Sequence, residues 1–154
     1  MPHHTNTPDT DAPFWETTPL SRMSESQWES LCDGCGLCCV EKLEDADTGA
    51  IYITSVACEY LDLESCRCRI YETRTHIHGS CVKLTPDTVA EFRWLPETCA
   101  YRCVLEKRAL PEWHPLICGS AKKMKRAGVT ASHRTISGES IHPEDLYRFI
   151  EHEV

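Results

Sequence analysis

The sequence has little that points to a membrane or to nucleic acid. No apolar run approaches the roughly 18 residues that a membrane-spanning helix requires. The opening MPHHTNTPDTDAPFWE has no basic stretch followed by an apolar core, so we predict no secretory signal. Acidic residues outnumber basic ones, for a formal net charge of −8, whereas phosphate binding requires a basic face. We therefore expect neither a membrane nor a nucleic acid as partner.

The motifs of common enzyme classes are also missing. The sequence contains no Ser–His–Asp arrangement, phosphate-binding loop or nucleotide fingerprint. A thioredoxin-like CxxC pair follows a strand and begins a helix, whereas a predicted helix precedes the pairs found in this chain. A radical-SAM motif needs C-x3-C-x2-C, and Cys99 and Cys103 supply only its first spacing. No catalytic residue is predicted, and whether the protein is an enzyme stays open.

Composition is typical of one small soluble domain, with 41% hydrophobic and 26% charged residues in 154. We predict a flexible tail over residues 1–18, which are rich in Pro, Thr and Asp, and a single domain over residues 19–154. Short helical segments and a little strand separate long loops that carry cysteine. The predicted fold is a small, helix-rich α+β domain in which metal–thiolate bonds tie these loops together.

Several segments carry secondary-structure signals. SRMSESQWESL predicts a helix with a serine cap, and GAIYITSV predicts a strand. TPDTVAEFRWL predicts a helix capped by Thr85, and a second helix is predicted to begin at Pro96. VTASHRTI alternates like an edge strand, and HPEDLYRFIEHE predicts an amphipathic helix. Gly34 and Gly36 predict a tight loop through residues 32–39, because glycine destabilises a helix interior.

Cysteine is the residue that the chain has in excess. It contains 11 cysteines, and cysteine-rich chains without an export signal are usually cytoplasmic metal proteins or redox catalysts. We therefore expect a cytoplasmic protein. Four buried thiols within the glycine-rich stretch CDGCGLCC would make an unusual core. We predict that these four are metal ligands: Cys32, Cys35, Cys38 and Cys39.

The spacing within this stretch leaves the metal open. Its first three cysteines match the C-x2-C-x2-C of bacterial ferredoxin-type iron–sulfur sites, although no C-P follows. Cys39 follows Cys38 directly, and adjacent side chains generally point apart, so we expect either two sites or a multinuclear site with a bridging thiolate. Both Zn²⁺ and a [4Fe–4S] cluster accept four thiolates, so four distant cysteines would complete two sites. The candidates for these positions are Cys58, Cys66, Cys68, Cys81 and Cys99.

Histidine is a weaker candidate ligand. His3 and His4 lie in the predicted tail, where a structural metal is rarely held. His76 and His78 lie near Cys81, and His114 lies four residues before a cysteine, so each could complete a zinc site. A lone loop histidine is more often a surface residue, and we predict this for all three.

CDGCGLCC resembles the signature of the CxxCxxCC family of cysteine-cluster proteins, which are described as zinc- or iron-chelating. The stretches PFW, WESLCDGCGLCC, CRCRIYETR, FRWLPETCAYR and LPEWHPL resemble its bacterial YcgN group, over about residues 13–118. The resemblance implies ligands in CEYLD, CRIYETR, HIHGSC and ETCAYR, namely Cys58, Cys68, Cys81 and Cys99. Cys66 falls in a matching stretch too, whereas Cys103 and Cys118 lie outside the motifs.

These observations predict a metal-binding cysteine-cluster protein that holds an iron–sulfur cluster, [4Fe–4S] in preference, or Zn²⁺. An iron–sulfur cluster would indicate electron transfer or redox sensing, and zinc would indicate a structural binding module. An iron–sulfur oxidoreductase and a metal carrier are the further alternatives. An open coordination position would favour an enzyme, and exchangeable metal would favour a carrier.

Overall fold

The computed structural model describes residues 11–154. His3, His4 and the first ten residues of the predicted tail lie outside the described residues. Within the same predicted tail, Phe14 and Trp15 belong to a short helix and pack against the hydrophobic core. The boundary between tail and domain stays a prediction.

Short helices and short strands follow one another along the described chain, which makes the fold α+β. The α-helices have four to six residues: α1 (Phe14–Thr17), α2 (Glu25–Ser30), α3 (Arg74–Ile77), α4 (Ala100–Leu105), α5 (Pro115–Cys118), α6 (Lys122–Arg126) and α7 (Ala131–Arg134). The strands are β1 (Val40–Glu44), β2 (Ile51–Ala57), β3 (Leu61–Asp62), β4 (Arg67–Cys68), β5 (Ile136–Ser137) and β6 (Ile150–Glu153). Turns of 3₁₀ helix include Leu37–Cys39, Val89–Glu91 and Pro143–Phe149. Within residues 11–154, none of these helices has the length and apolar character to cross a bilayer.

Strand β2 is the centre of the main sheet. It pairs antiparallel with β1 and with β6, and parallel with β5. Strands β3 and β4 form a separate antiparallel pair. Because β1 and β2 are antiparallel, the start of β1 lies beside the end of β2. The loop that precedes β1 and the loop that follows β2 therefore meet at the same end of the sheet.

A bulge interrupts the pairing of β1 with β2 at Glu41. Val40 lies opposite Ala57, but Lys42 lies opposite Ile53, so three residues of β2 face one residue of β1. The Thr54 hydroxyl donates a hydrogen bond of 2.7 Å to the Glu41 carbonyl within this irregular stretch. Bulges of this kind redirect the side chains beside them.

Two hydrophobic clusters differ in size. The larger, which we call the aromatic core, consists of Trp28, Leu31, Val89, Leu95, Ala100, Tyr101, Cys103 and Leu110, with further half-buried aromatic rings around it. The smaller has three buried residues, Ala57, Leu61 and Ala131, and lies against the loops that carry cysteine. Residues 32–81, which we call the cysteine region, contain two of those three.

The structure confirms the predicted helix before the first cysteine and the strand predicted in GAIYITSV, which forms β2 (Ile51–Ala57). Helix α2 begins after Ser24, whose side chain accepts from the Gln27 backbone while the Gln27 side chain accepts from the Ser24 backbone. This capping box satisfies two backbone donors at the start of the helix. The helix ends just before Cys32. It therefore determines where residues 32–39, which we call the cysteine loop, start.

The two helices predicted after residue 85 are shorter than the sequence indicated. Thr85 and Thr88 exchange hydrogen bonds between their hydroxyls and each other's backbone, as in a capping box, yet only the 3₁₀ turn Val89–Glu91 follows. The second helix, α4, begins at Ala100 and not at Pro96. Cys99 is therefore the N-cap residue of α4, not an interior position.

Both predictions for the C-terminal part are wrong in detail. The segment predicted as an edge strand, VTASHRTI, contains α7 and only the first residue of β5, Ile136. The segment predicted as an amphipathic helix forms a 3₁₀ helix and then β6, because pairing with β2 satisfies its backbone. Tertiary pairing has overridden local helical preference there, as is common for short apolar segments.

Candidate metal centre

Eight cysteines line a single cavity of about 360 Å³. It lies between the cysteine loop, the end of β2 and the N-terminus of α4. The cysteines are Cys32, Cys35, Cys38, Cys39, Cys58, Cys68, Cys81 and Cys99. These are the eight residues that the sequence singled out as ligands, and the structure gathers them around one space.

The loop that carries the first four cysteines is the tight turn that its glycines predict. Gly34 and Gly36 both have φ of +76°, a left-handed conformation that glycine adopts without a steric penalty. The Asp33 carboxylate accepts a hydrogen bond of 2.9 Å from the Cys35 backbone N–H. A 3₁₀ turn at Leu37–Cys39 then leads into β1. This geometry turns four side chains towards one cavity within eight residues.

Two hydrogen bonds from distant parts of the chain fix this loop. The Ala131 backbone N–H donates to the Cys35 carbonyl at 2.8 Å. The His114 ring donates from Nε2 to the Leu31 carbonyl at 2.8 Å, while its Nδ1 accepts from the Leu116 N–H at 3.0 Å. His114 is completely buried, so its predicted surface position is wrong. Both of its nitrogens are used, which makes it a positioning residue beside the first cysteine.

The remaining four cysteines reach the cavity from separate elements. Cys58 follows β2 directly, and its backbone N–H donates to the Cys39 carbonyl at 2.7 Å. Cys68 lies on β4 opposite Leu61. Cys81 comes from the loop after α3, and Cys99 comes from the start of α4. Separate secondary-structure elements therefore deliver thiols to one place.

The sulfur atoms of Cys38 and Cys39 lie 3.9 Å apart. This overturns the expectation that these adjacent side chains point away from each other. The separation is close to the roughly 3.8 Å between two thiolates on one tetrahedral ion with bonds of about 2.3 Å. The 3₁₀ turn brings the two sulfurs together, so the pair can bind one ion or bridge two.

Burial keeps several of these thiols protonated in the absence of a metal. Desolvation is the largest cause and nearby Cys38 adds to it, and together they raise the pKa of Cys32 to about 12 and that of Cys99 to about 11. The pKa of Cys58 is raised by burial and also by neighbouring Glu41, Cys68 and Cys81. Cys32 is therefore close enough to Cys99 to interact with it electrostatically, and Cys58 is close enough to interact with Cys68 and Cys81.

The pKa of Cys38 is also raised, first by its contact with Cys39 and then by burial. Its charge also raises the pKa of Cys81 and that of Cys99. Cys38 therefore interacts with thiols from distant parts of the chain.

The charges around the cavity fit a bound cation. The Asp33 Oδ2 atom is buried and has no hydrogen-bond partner among the described residues, although Asp33 lines the cavity. An unpaired buried carboxylate oxygen is costly, and a metal ion would compensate it. The Lys42 ammonium donates to the carbonyls of Cys38 and Val40 at 2.9 and 2.8 Å and balances part of the thiolate charge.

Comparison with known proteins agrees with this geometry. Residues 31–100 match the family model described as "CxxCxxCC: Putative zinc- or iron-chelating domain". A UPF0260 protein of Pectobacterium atrosepticum is 52% identical over 124 residues, which are 80% of this chain and 84% of the relative. A UPF0260 protein of Rhizobium etli is 50% identical over 140 residues, 91% and 89% of the two chains. The chain belongs to the UPF0260 family.

Membership of the UPF0260 family confirms the resemblance that the cysteine motifs indicated. A further member, from Azotobacter vinelandii, is 47% identical over 133 residues, 86% of this chain and 89% of its own. No solved structure matches the chain. The family description supports chelation of zinc or iron and leaves the choice of metal open.

Three cysteines lie outside the lining of the cavity. Cys66 is buried in the turn between β3 and β4 with φ of 56°, and it packs close to Gly36. Cys103 is buried in the aromatic core, 3.4 Å from the Glu97 carbonyl. Cys118 is exposed at the end of α5. Cys103 and Cys118 also lie beyond the segment that the UPF0260 chain shares with the family model.

Glu41 and His78 are two further potential ligands that the sequence analysis did not assign to the metal. The ligand atoms of Glu41, Cys58 and His78 all lie within 4.8 Å of one another, and all three residues line the cavity. The short sequence separation between His78 and Cys81 indicated a potential zinc ligand, but its position in a loop favoured a surface role. Glu41 carried none, since a glutamate in a regular strand gives no indication of a bulge.

Proposed function

We propose that this protein binds a multinuclear metal–thiolate centre, of iron–sulfur type, in the cysteine cavity. The observation that carries the proposal is that eight thiols from five separate parts of the chain line one space. Soft thiolate ligands select iron–sulfur clusters and zinc over harder cations. The ligands of the centre are the eight cysteines that line the cavity.

The size of the cavity favours more than one metal ion. A single tetrahedral ion draws four thiolates directly around itself, with bonds of about 2.3 Å, and leaves no internal space. A cavity of about 360 Å³ is as large as a small-molecule pocket. The C-x2-C-x2-C spacing of Cys32, Cys35 and Cys38 supports an iron–sulfur cluster bound by these three cysteines.

The contact between Cys38 and Cys39 supports a multinuclear centre with a bridging thiolate. Their sulfur atoms lie 3.9 Å apart, close to the separation of two thiolates on one ion. A centre saturated by thiolates fits electron transfer or redox sensing in a reducing compartment such as the cytoplasm. The second candidate, a zinc-stapled structural module, rests on the same thiols and differs in the metal alone.

Metal analysis of anaerobically purified protein tests the proposal. We expect iron and acid-labile sulfide in equal amounts, about four or eight per chain, with broad visible absorption. About one or two zinc ions per chain without colour would contradict the iron–sulfur proposal and support the zinc module. Protein without iron, zinc or sulfide, purified under the same conditions, would contradict both.

A further inference from the structure

The Glu41, Cys58 and His78 side chains meet at one side of the cavity. Their carboxylate, thiol and imidazole ligand atoms all lie within 4.8 Å of one another, and all three residues are half-buried. The three residues come from β1, from the end of β2 and from the end of α3. Residues with a strong tendency to bind metal therefore converge from three elements, without participation of the CDGCGLCC loop.

The irregular pairing of β1 with β2 brings Glu41 to this position. Successive side chains of a regular strand point to opposite faces, yet Val40, Glu41 and Lys42 all line the same cavity. The change of register between Val40 and Lys42 breaks the alternation at Glu41. The Thr54 hydroxyl bonds the Glu41 carbonyl and so fixes the backbone of the bulge.

The imidazole of His78 packs against a neighbouring ring and makes one long hydrogen bond. Its ring lies edge-on to Tyr60 at 5.8 Å, and its Nδ1 accepts a long hydrogen bond of 3.3 Å from the Ser80 N–H. Binding of a metal through Nδ1 would replace this bond, and binding through Nε2 would move the ring proton to Nδ1. Either nitrogen can therefore ligate at the cost of one weak hydrogen bond.

We propose that Glu41, Cys58 and His78 form an open, three-ligand site for one divalent transition-metal ion, Zn²⁺ or Fe²⁺. One oxygen, one sulfur and one nitrogen are borderline ligands that suit these ions. A tetrahedral ion with three protein ligands keeps a fourth position for water or a small exogenous ligand, as reactive zinc sites do. The inference extends the proposed function, because Cys58 is one of the eight thiols of the thiolate centre.

The open position has a chemical consequence. An ion saturated by cysteine only holds the chain together, whereas an ion with a free position can bind and polarise a small molecule. The cavity beside the site provides the space for such a ligand. The site therefore assigns to this fold a reactive ion next to a thiolate centre.

The test compares variants of the full chain after equilibrium dialysis of the anaerobically purified protein against excess Zn²⁺. Glu41→Gln and His78→Gln remove one ligand each at half-buried positions. Glu44→Gln on the same strand and His76→Gln two residues before His78 are the matched controls, because both are exposed. We expect the first pair to bind about one zinc ion fewer per chain than wild type, and the controls to equal wild type.

Zinc K-edge X-ray absorption distinguishes ligation from a structural role. The edge should show imidazole nitrogen in wild type and in His76→Gln, and lose that signal in His78→Gln. His78→Cys should restore the missing ion with an added sulfur, which a purely structural histidine would not allow. Unchanged zinc content in Glu41→Gln and His78→Gln would overturn the inference, whether or not the thiolate centre is present.

The same experiment separates this inference from the proposed function. Loss of one zinc ion with retained iron, sulfide and visible colour supports the open site beside an intact thiolate centre. Zinc bound through Glu41 and His78 by a chain that lacks iron and sulfide supports the open site and contradicts the iron–sulfur proposal. A chain that retains its colour but binds no zinc through these residues contradicts the open site alone.

Discussion

The aromatic core and the cysteine region are stabilised by different means. The aromatic core buries eight residues, among them Trp28 and Tyr101, whose rings lie 4.6 Å apart and whose contact includes a 2.8 Å hydrogen bond from the Tyr101 hydroxyl to the Trp28 carbonyl. The cysteine region rests against a cluster of only three small or medium side chains. Burial of apolar surface can hold the first region, but the second needs another source of stability, which bound metal would supply.

The largest expected effect falls on the cysteine region alone. Cys35 is buried and lines the cavity, so Cys35→Ser should remove metal and unfold residues 32–81 together, because binding and folding are coupled in such sites. Metal content should fall and amide hydrogen exchange should become faster in this region, while amides of α4 stay protected. Cys118→Ser is the control. Full metal content and full thermal stability in Cys35→Ser would contradict the assignment of Cys35 as a ligand.

The next largest effect is expected from acidification, which should weaken metal binding in the cysteine region. Because burial raises the pKa of Cys32 and Cys99, both are protonated before metal binds, and binding releases their protons. The apparent affinity should therefore fall as pH falls, by about tenfold per pH unit for each proton released. A competitive chelator titration at several pH values measures this slope. An affinity that does not change between pH 8 and pH 6 would contradict proton release from these thiols.

Leu110→Ala should weaken the aromatic core and leave the metal in place. Leu110 is buried within that core and does not line the cavity, so its truncation should lower the free energy of unfolding by about 2–5 kcal/mol. Chemical denaturation measures the loss, and elemental analysis should give the metal content of wild type. A proportionate loss of metal would show that the two regions are not held independently.

Two glycines of the cysteine loop offer a matched pair. Both have φ of +76°, so alanine at either position should cost about 1–2 kcal/mol of backbone strain. A Cβ at Gly36 would also lie 3.2 Å from the Ala131 Cβ and 3.3 Å from Leu61, whereas a Cβ at Gly34 meets nothing within 4 Å. Gly36→Ala should therefore lose more stability and more metal than Gly34→Ala. Equal losses in thermal melts and metal content would mean that strain alone matters there.

The smallest effect is expected at Cys103. It is buried in the aromatic core, but its thiol contact with the Glu97 carbonyl can be replaced by a serine hydroxyl. Cys103→Ser should change the free energy of unfolding by about 1 kcal/mol or less and should leave the metal content unchanged. A clear loss of metal in elemental analysis would place Cys103 among the ligands.

Sequence alone predicted the parts of this molecule that local chemistry determines. The glycine turn follows from the left-handed preference of Gly34 and Gly36, and α2 follows from the capping residues around Ser24. The four cysteines of CDGCGLCC were predicted from their spacing, and the resemblance to the CxxCxxCC family implied the other four of the cavity. The role of all eight as ligands stays a prediction. The UPF0260 relationship was accessible because the cysteine motifs are specific.

The rest depended on contacts between distant segments. Pairing with β2 turned the predicted C-terminal helix into a 3₁₀ helix followed by β6. Glu41 reached the cavity through a bulge that depends on the register of two strands. His114 is buried by packing of its loop beside Leu31, which no local pattern around it indicates.

The two hydrogen bonds from distant residues that fix the cysteine loop determine how short a functional fragment of this chain can be. Residues 31–100 contain every cysteine of the cavity and match the family model. However, the donors to the Leu31 and Cys35 carbonyls are His114 and Ala131, and both lie downstream of that segment. A fragment trimmed to residues 31–100 would keep all eight thiols and lose the contacts that arrange the first of them. The smallest fragment that keeps these contacts is therefore longer than residues 31–100 and extends at least through α7.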